Sequence, residues 1–170
     1  MVYRIILILS VIACFSDLAQ ADEGDYGDWV LHCTNSDEIC YISQIAVIEK
    51  TGETLMEFNI PLNKSGSVEG SKLEIILPLG TSLQFAPKLH IANQFISELK
   101  VSVCLPDGCY YSLEMSQVLL ERFLSMFSGY VKIQGPNGSE VDVPISGTGT
   151  RSAFKAFNDI YRAKNQSLAK

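Results

Sequence analysis

The chain has 170 residues, 13 basic against 19 acidic for a net charge of −6, and is 47% hydrophobic. That length suits one domain around one core, and the acidic balance with scattered Lys and Arg excludes the clustered positive charge that a nucleic acid demands. Without internal repeats, long linkers or low-complexity blocks, no second domain is indicated.

The first residues, MVYR, carry one positive charge and run into IILILSVIA, an apolar stretch too short to cross a bilayer. This reads as a secretory signal. Ala19-Gln20-Ala21 fits ordinary signal peptidase, which would leave a mature domain over residues 22–170. Val11-Ile12-Ala13-Cys14 fits a lipobox as the alternative, with Cys14 lipidated, and an uncleaved anchor is a third reading. Removing residues 1–21 takes away Arg4 and Asp17 together, so the charge stays at −6. After residue 21 no apolar run is long enough to span a membrane. Without Cys14 the five cysteines become four, and an even number in an exported chain implies disulfides. Spacing favours local pairs, Cys33 with Cys40 and Cys104 with Cys109.

DEGDYGD (22–28) reads as a solvated acidic arm. Short segments rich in β-branched and aromatic residues follow: 28–33, 39–50, 53–62, 72–79, 88–93, 99–104, 109–113, 130–134 and 140–145. Turn residues such as Thr51-Gly52, Lys64-Ser65-Gly66 and Pro136-Asn137-Gly138 divide them. About nine short strands predict a mainly β fold, an antiparallel sandwich or barrel-like domain with two short helices. The first helix starts at a Ser116 cap, lines Leu119, Phe123 and Phe127 on one side with Leu120 and Leu124 beside them, and stops at Gly129. The second follows Gly149, with Thr150 or Ser152 as cap and Phe154, Phe157 and Tyr161 as its stripe, and residues 162–170 read as a frayed tail. Arg151, Lys155, Arg162 and Lys164 read as its solvated face.

In CLPDGC (104–109), Pro106 presets φ, Asp107 can accept a backbone hydrogen bond and Gly108 can take positive φ. The flanks are strand-like, so the two cysteines should face each other across a hairpin, about 4.5–5.5 Å apart at Cα, within reach of a disulfide. Zinc would need reduced thiolates and further ligands, which only His32 and His90 could supply. Redox chemistry would need Cys-x-x-Cys at a helix start. Neither is expected, and no cofactor is.

Other chemistry is thin. Gly147-Thr148-Gly149-Thr150-Arg151 lacks the phosphate-loop pattern and reads as glycines easing a strand into a helix. No serine sits in a nucleophile elbow. Glu57 and Glu74 alternate with apolar residues and read as a wet strand face. Asn63, Asn137 and Asn165 begin sequons.

Taken together, the signal, YGDW before Cys33, Cys40, LPLGTSL with KLHI after it, CLPDGC, a helix, the PNG hairpin ending VPIS, and Gly147 leading to Phe154 resemble the invasion-associated locus B family of exported bacterial proteins. The resemblance covers about residues 26–160. By position, Trp29, Cys33 and Cys40 match its first motif, Leu77, Pro78, Leu79 and Gly80 its second, and Cys104, Gly108 and Cys109 its third. It departs at Ala86-Pro87, where the family more often has a glycine, and in the lengthened SGTGTRSAF. The resemblance implies a periplasmic or surface-associated β domain with no established enzymatic activity, named for host-cell entry, whose matched residues are structural. The resulting expectation is an exported, non-catalytic module that contacts an unidentified host or envelope protein. Its alternative is a periplasmic envelope-maintenance or folding-assistance module, and an enzyme comes third.

Overall fold

A computed structural model describes residues 24–33, 40–62 and 70–168, with the side chains of Leu62 and residues 163–168 left aside. The signal segment with Cys14, both processing sites and the sequons at Asn63 and Asn165 lie outside these residues or side chains, as do Lys64-Ser65-Gly66 and the Lys164 side chain.

The strands are β1 (Gly24–Tyr26), β2 (Trp29–Cys33), β3 (Cys40–Val47), β4 (Thr54–Leu62), β5 (Lys72–Leu77), β6 (Lys88–Ile91), β7 (Gln94–Glu98), β8 (Lys100–Leu105), β9 (Gly108–Glu114), β10 (Ser128–Gln134) and β11 (Glu140–Ser146). Helix α1 (Gln117–Ser125) joins β9 to β10, and α2 (Thr150–Leu168) follows β11. All pairings are antiparallel. They build a seven-stranded sheet, β1-β2-β3-β4-β5-β9-β8, and a four-stranded sheet, β11-β10-β6-β7.

Strand alternation explains why the sheets pack face to face. Leu31, Ile42, Phe58, Ile60, Ile75 and Leu77 line the inner face of the larger sheet at 0–1% exposure, against Leu89, Val131, Val143 and Ile145 from the smaller one, equally buried. Each such side chain contributes about 1.5–3 kcal/mol on leaving water. An aromatic line crosses this core: Trp29 meets Phe58 edge-on at 5.8 Å, and Phe58 meets Phe123 of α1 at 5.5 Å.

Two strands were not expected. Gly24–Tyr26, read as a solvated arm, pairs with β2 through Gly24↔Leu31 and Tyr26↔Trp29. QFISE forms β7, joined to β6 by the two-residue turn Ala92-Asn93, both at positive φ (49° and 62°). Asn tolerates that region and Ala does not, so the turn lacks its usual Asn-Gly signature.

The helices also differ in detail. Ser116 caps α1, its Oγ accepting from Leu119 N at 3.2 Å, but the helix ends at Ser125 with an extended Met126 as C-cap. Phe127 therefore leaves the apolar stripe and is 91% exposed, while Met126 is buried instead. Gly129 does not end the helix. It sits in β10 opposite Ile91, where a Cβ would meet the His90 carbonyl at 2.7 Å. In α2, Phe154 and Phe157 are buried as the spacing implies. Its backbone stays helical to Leu168, past the expected start of fraying at residue 162.

Candidate functional site

The first staple joins Cys33 and Cys40, directly opposed on β2 and β3 with Cα atoms 4.1 Å apart. Both are buried, at 7% and 3% exposure. The second joins Cys104 and Cys109 across the β8–β9 hairpin, 4.0 Å apart at Cα. Here only Cys109 is buried, and every residue of β8 is exposed. The turn differs from the expected form. Leu105 pairs with Gly108, so Pro106 and Asp107 alone make the loop and Gly108 is nearly extended at φ 158°. The glycine is required by space: a Cβ would meet Leu77 O and Ile76 Cγ2 at 2.8 Å each. Asp107 accepts from the Tyr110 hydroxyl at 2.7 Å, and this bond is the first cause that raises the Tyr110 pKa above its ordinary value.

Trp29 has a second task beside packing. Its indole Nε1 donates to Ser146 O at 2.9 Å, tying β2 to the end of β11 in the other sheet. Gln44 completes this seam, donating to Asp28 O at 3.1 Å and accepting from Ser146 N at 2.8 Å. Asp28 N also donates to Thr148 O at 3.1 Å. The glycines of Gly147-Thr148-Gly149 serve this close approach. Gly149 has φ 90°, and a Cβ on it would collide with the Tyr26 carbonyl. Nothing local in the sequence marks Gln44, a buried amide in an apolar strand, as a bridge between sheets.

The second sequence motif forms the crossing between the sheets. Leu77 is fully buried at the end of β5. Pro78 O accepts from Thr81 Oγ1 at 2.9 Å, Leu79 is exposed, and Gly80 takes φ 99°. Ser82 N then reaches Gln134 O of β10 at 2.8 Å. At the Ala86-Pro87 departure, Pro87 is buried and its carbonyl accepts from Leu99 N at 2.8 Å.

The titratable candidates are not brought together. His32, between buried Leu31 and Cys33, lies on the outer face of the larger sheet, stacked on Tyr41 at 4.8 Å and 3.0 Å from Ser43 Oγ. His90, between buried Leu89 and Ile91, lies on the outer face of the smaller one, stacked on Tyr130 at 4.5 Å. Glu57 accepts from Asn59 Nδ2 at 2.8 Å, with Glu74 opposite Asn59 on the same outer face. Among the described residues no group of three or more His, Cys, Asp or Glu could hold a metal ion. Of the basic group on α2, Arg151 is more than a solvated charge: its Nη2 and Nε donate to Leu124 O at 2.9 and 3.3 Å, closing the C-terminal end of α1. Lys155 pairs with Asp159 at 2.8 Å, and that hydrogen bond lowers the Asp159 pKa and raises that of Lys155. Asn137 stands exposed in the β10–β11 hairpin, its Oδ1 accepting from Ser139 N at 3.2 Å.

What the surface does offer is a cleft and an edge. The edge is β8, whose Val101, Val103 and Leu105 are 45–50% exposed. Leu99 links it directly to β7, the edge of the other sheet, so both open edges lie in succession along the chain. Beside β7 runs a cleft of about 340 Å³. Phe95, Ile96 and Ser97 form one wall, and Val118, Leu119 and Arg122 of α1 the other. Phe95 is 57% and Val118 63% exposed. Arg122 Nη1 donates to Gln94 Oε1 at 3.3 Å.

A family model described as the invasion associated locus B (IalB) protein matches residues 29–158, which run from the buried tryptophan to the second helix. The chain belongs to the invasion associated locus B family. Among solved structures, it is similar to invasion associated protein B from Bartonella henselae, with a TM-score of 0.68 at 11% identity, covering 82% of this chain and 98% of that one. No curated protein sequence matches it. The structural likeness shows a shared fold. In this chain β2 to β11, α1 and both disulfides lie within the family's matched span, which β1 precedes and α2 runs beyond. Among the described residues no helix is long and apolar enough to cross a membrane.

Proposed function

We propose that this domain is exported, with residues 1–21 removed as a signal and 22–170 retained, and that it works without catalysis by contacting another protein, in support of host-cell invasion where its bearer is a pathogen. The observation that carries the reading is the succession of open edges β7 and β8, the latter with every residue exposed and apolar side chains on both faces. Such edges recruit other chains unless they are covered. The oxidised cysteine pairs support export, since thiols stay reduced in the cytosol. The matched motif residues Trp29, Cys33, Cys40, Leu77, Pro78, Leu79, Gly80, Cys104, Gly108 and Cys109 serve the scaffold in this reading: they pack, staple or turn the chain.

The test is site-directed photo-crosslinking in living cells, from Val103 on β8 and Val118 on α1, combined with fractionation of culture supernatant, periplasm and membrane. Defined protein adducts from at least one position, on material recovered outside the cytosol, are expected. Failure to form adducts at either position, or recovery from the cytosol with free thiols, would overturn the proposal. A deletion strain that enters host cells normally but becomes envelope-defective would move the role to envelope maintenance. Fractionation also decides between processing at Ala21 and lipidation at Cys14.

A further inference from the structure

We propose that the cleft between β7 and α1 receives an extended segment of a partner protein as an added antiparallel strand, with a carboxylate of that segment beside Arg122. This deepens the reading above and rests on it, because it assumes that the domain acts by binding another protein.

The first ground is main-chain chemistry. A strand at the end of a sheet presents a row of N–H and C=O groups that another strand can satisfy. The sheet edges differ in how regular a ladder they offer. Among the described residues β1 offers three, Gly24–Tyr26. β8 starts at Lys100, is irregular between Val101 and Val103, and runs into Pro106. β11 carries Glu140, Asp142 and Pro144. β7 reads Gln94–Glu98 with neither Lys nor Pro; it has an irregularity opposite Leu89/His90 and a charge at its last residue, Glu98, and the cleft runs beside it. Its neighbour α1 stands off far enough to leave the cleft open.

The second ground is the chemistry of the walls. A strand added to β7 would span about 17 Å alongside five residues. Its side chains on one face would meet Phe95, which stands against His90 on the outer face, and on the other Ile96, which packs toward the core; both line the cleft together with Val118 of α1. Burying Phe95 and Val118, exposed at present, favours apolar residues at alternate positions of the guest.

The third ground is charge and direction. Arg122 donates to the neutral Gln94 side chain, and among the described residues no carboxylate lies within ion-pair distance of it. The opposite end of the cleft holds Glu114, which is already paired with Lys72 at 3.5 Å. Lys100 pairs with Ser112, so Glu114 lies toward the Glu98 end of β7, and Arg122 toward the Gln94 end. An antiparallel guest runs toward Gln94 and delivers its C-terminal end to Arg122. A guanidinium with spare donors there complements a terminal or side-chain carboxylate.

The test uses the mature chain and two synthetic libraries of octapeptides alternating Val or Ile with Thr or Ser, one with free C-terminal carboxylates and one with C-terminal amides. Backbone amide shifts are followed by NMR. The expected result is binding that perturbs Gln94–Glu98 and Val118–Arg122, weakens about tenfold for the amide form, and loses that difference in Arg122→Ala. N-methylation of alternate peptide nitrogens should abolish it, because the added ladder needs those donors. Val118→Asp should weaken binding about tenfold without altering shifts elsewhere. No binding at millimolar peptide, or shifts confined to β8, would overturn the proposal. Crosslinks that persist from Val103 in that case would leave the broader protein-binding reading standing, whereas loss of both would remove the two together.

Discussion

The two disulfides look alike in sequence, each closing a short loop, yet they sit in different physical surroundings. Cys33–Cys40 lies in the packed interior of the larger sheet, flanked by Leu31 and Ile42 at 0–1% exposure. Cys104–Cys109 fastens an edge strand of which every residue is exposed. The buried staple adds to a region already held by core packing and by the Trp29 seam. The exposed one holds a strand in place where the core does not, and leaves its outer edge available.

The strongest way to break this contrast is Trp29→Ala. If the buried half depends on packing more than on sulfur, losing the indole, its contact with Phe58 and its bond to Ser146 should cost about 3–5 kcal/mol, read from urea unfolding of the mature chain. That exceeds what either disulfide supplies by chain entropy, about 2–2.5 kcal/mol for loops this short. A smaller loss than that of the Cys33→Ala/Cys40→Ala pair would reverse the ranking.

The staples themselves come next. Replacing Cys33 and Cys40 by Ala should cost about 3–4 kcal/mol, the loop term plus the packing of two buried sulfurs. Replacing Cys104 and Cys109 should cost about 2 kcal/mol, close to the loop term alone. Under native conditions a mild reductant should open Cys104–Cys109 first, since Cys104 is exposed while both partners of the other bridge are covered. Alkylation and peptide mapping would show it, and equal rates would remove the distinction. Gly108→Ala should cost about 1–3 kcal/mol, because its Cβ meets a backbone carbonyl that cannot turn aside.

The fate of particular residues shows what a single sequence makes legible. Alternation and turn chemistry are local, so the strands carrying Ile42, Phe58, Ile75 and Val131 could be read, as could both cysteine pairs and the Ser116 cap. β7 escaped because its turn uses Ala92 at a φ that Ala disfavours and because QFISE does not alternate cleanly. Phe127 was misplaced because helical spacing says nothing about where a helix stops, and Met126 leaves the helix one residue earlier. The cleft was not legible at all. It exists because two segments distant along the chain, β7 and α1, face one another, and Phe95 and Arg122 have no local pattern that announces a shared wall.

The smallest expected effect probes where the exposed hairpin meets the core. Tyr111, two residues beyond Cys109 and opposite Val101 of β8, is 2% exposed, and its hydroxyl has no hydrogen-bond partner among the described residues. Burial raises its pKa above the ordinary 10.0, because the phenolate is costly in apolar surroundings. The folded state thus holds this proton more tightly than the unfolded state does. Its contribution to stability is complete below pH 10.0 and falls as pH rises from there through the folded value. Tyr111→Phe removes both the unsatisfied hydroxyl and the titration. At neutral pH it should leave stability unchanged or raise it by about 0.5 kcal/mol, and in base it should move the unfolding midpoint upward. A loss of more than about 1 kcal/mol at neutral pH would instead mean that the hydroxyl is satisfied in solution by water entering from the edge, and that the core beneath the second staple is wetter than the core beneath the first.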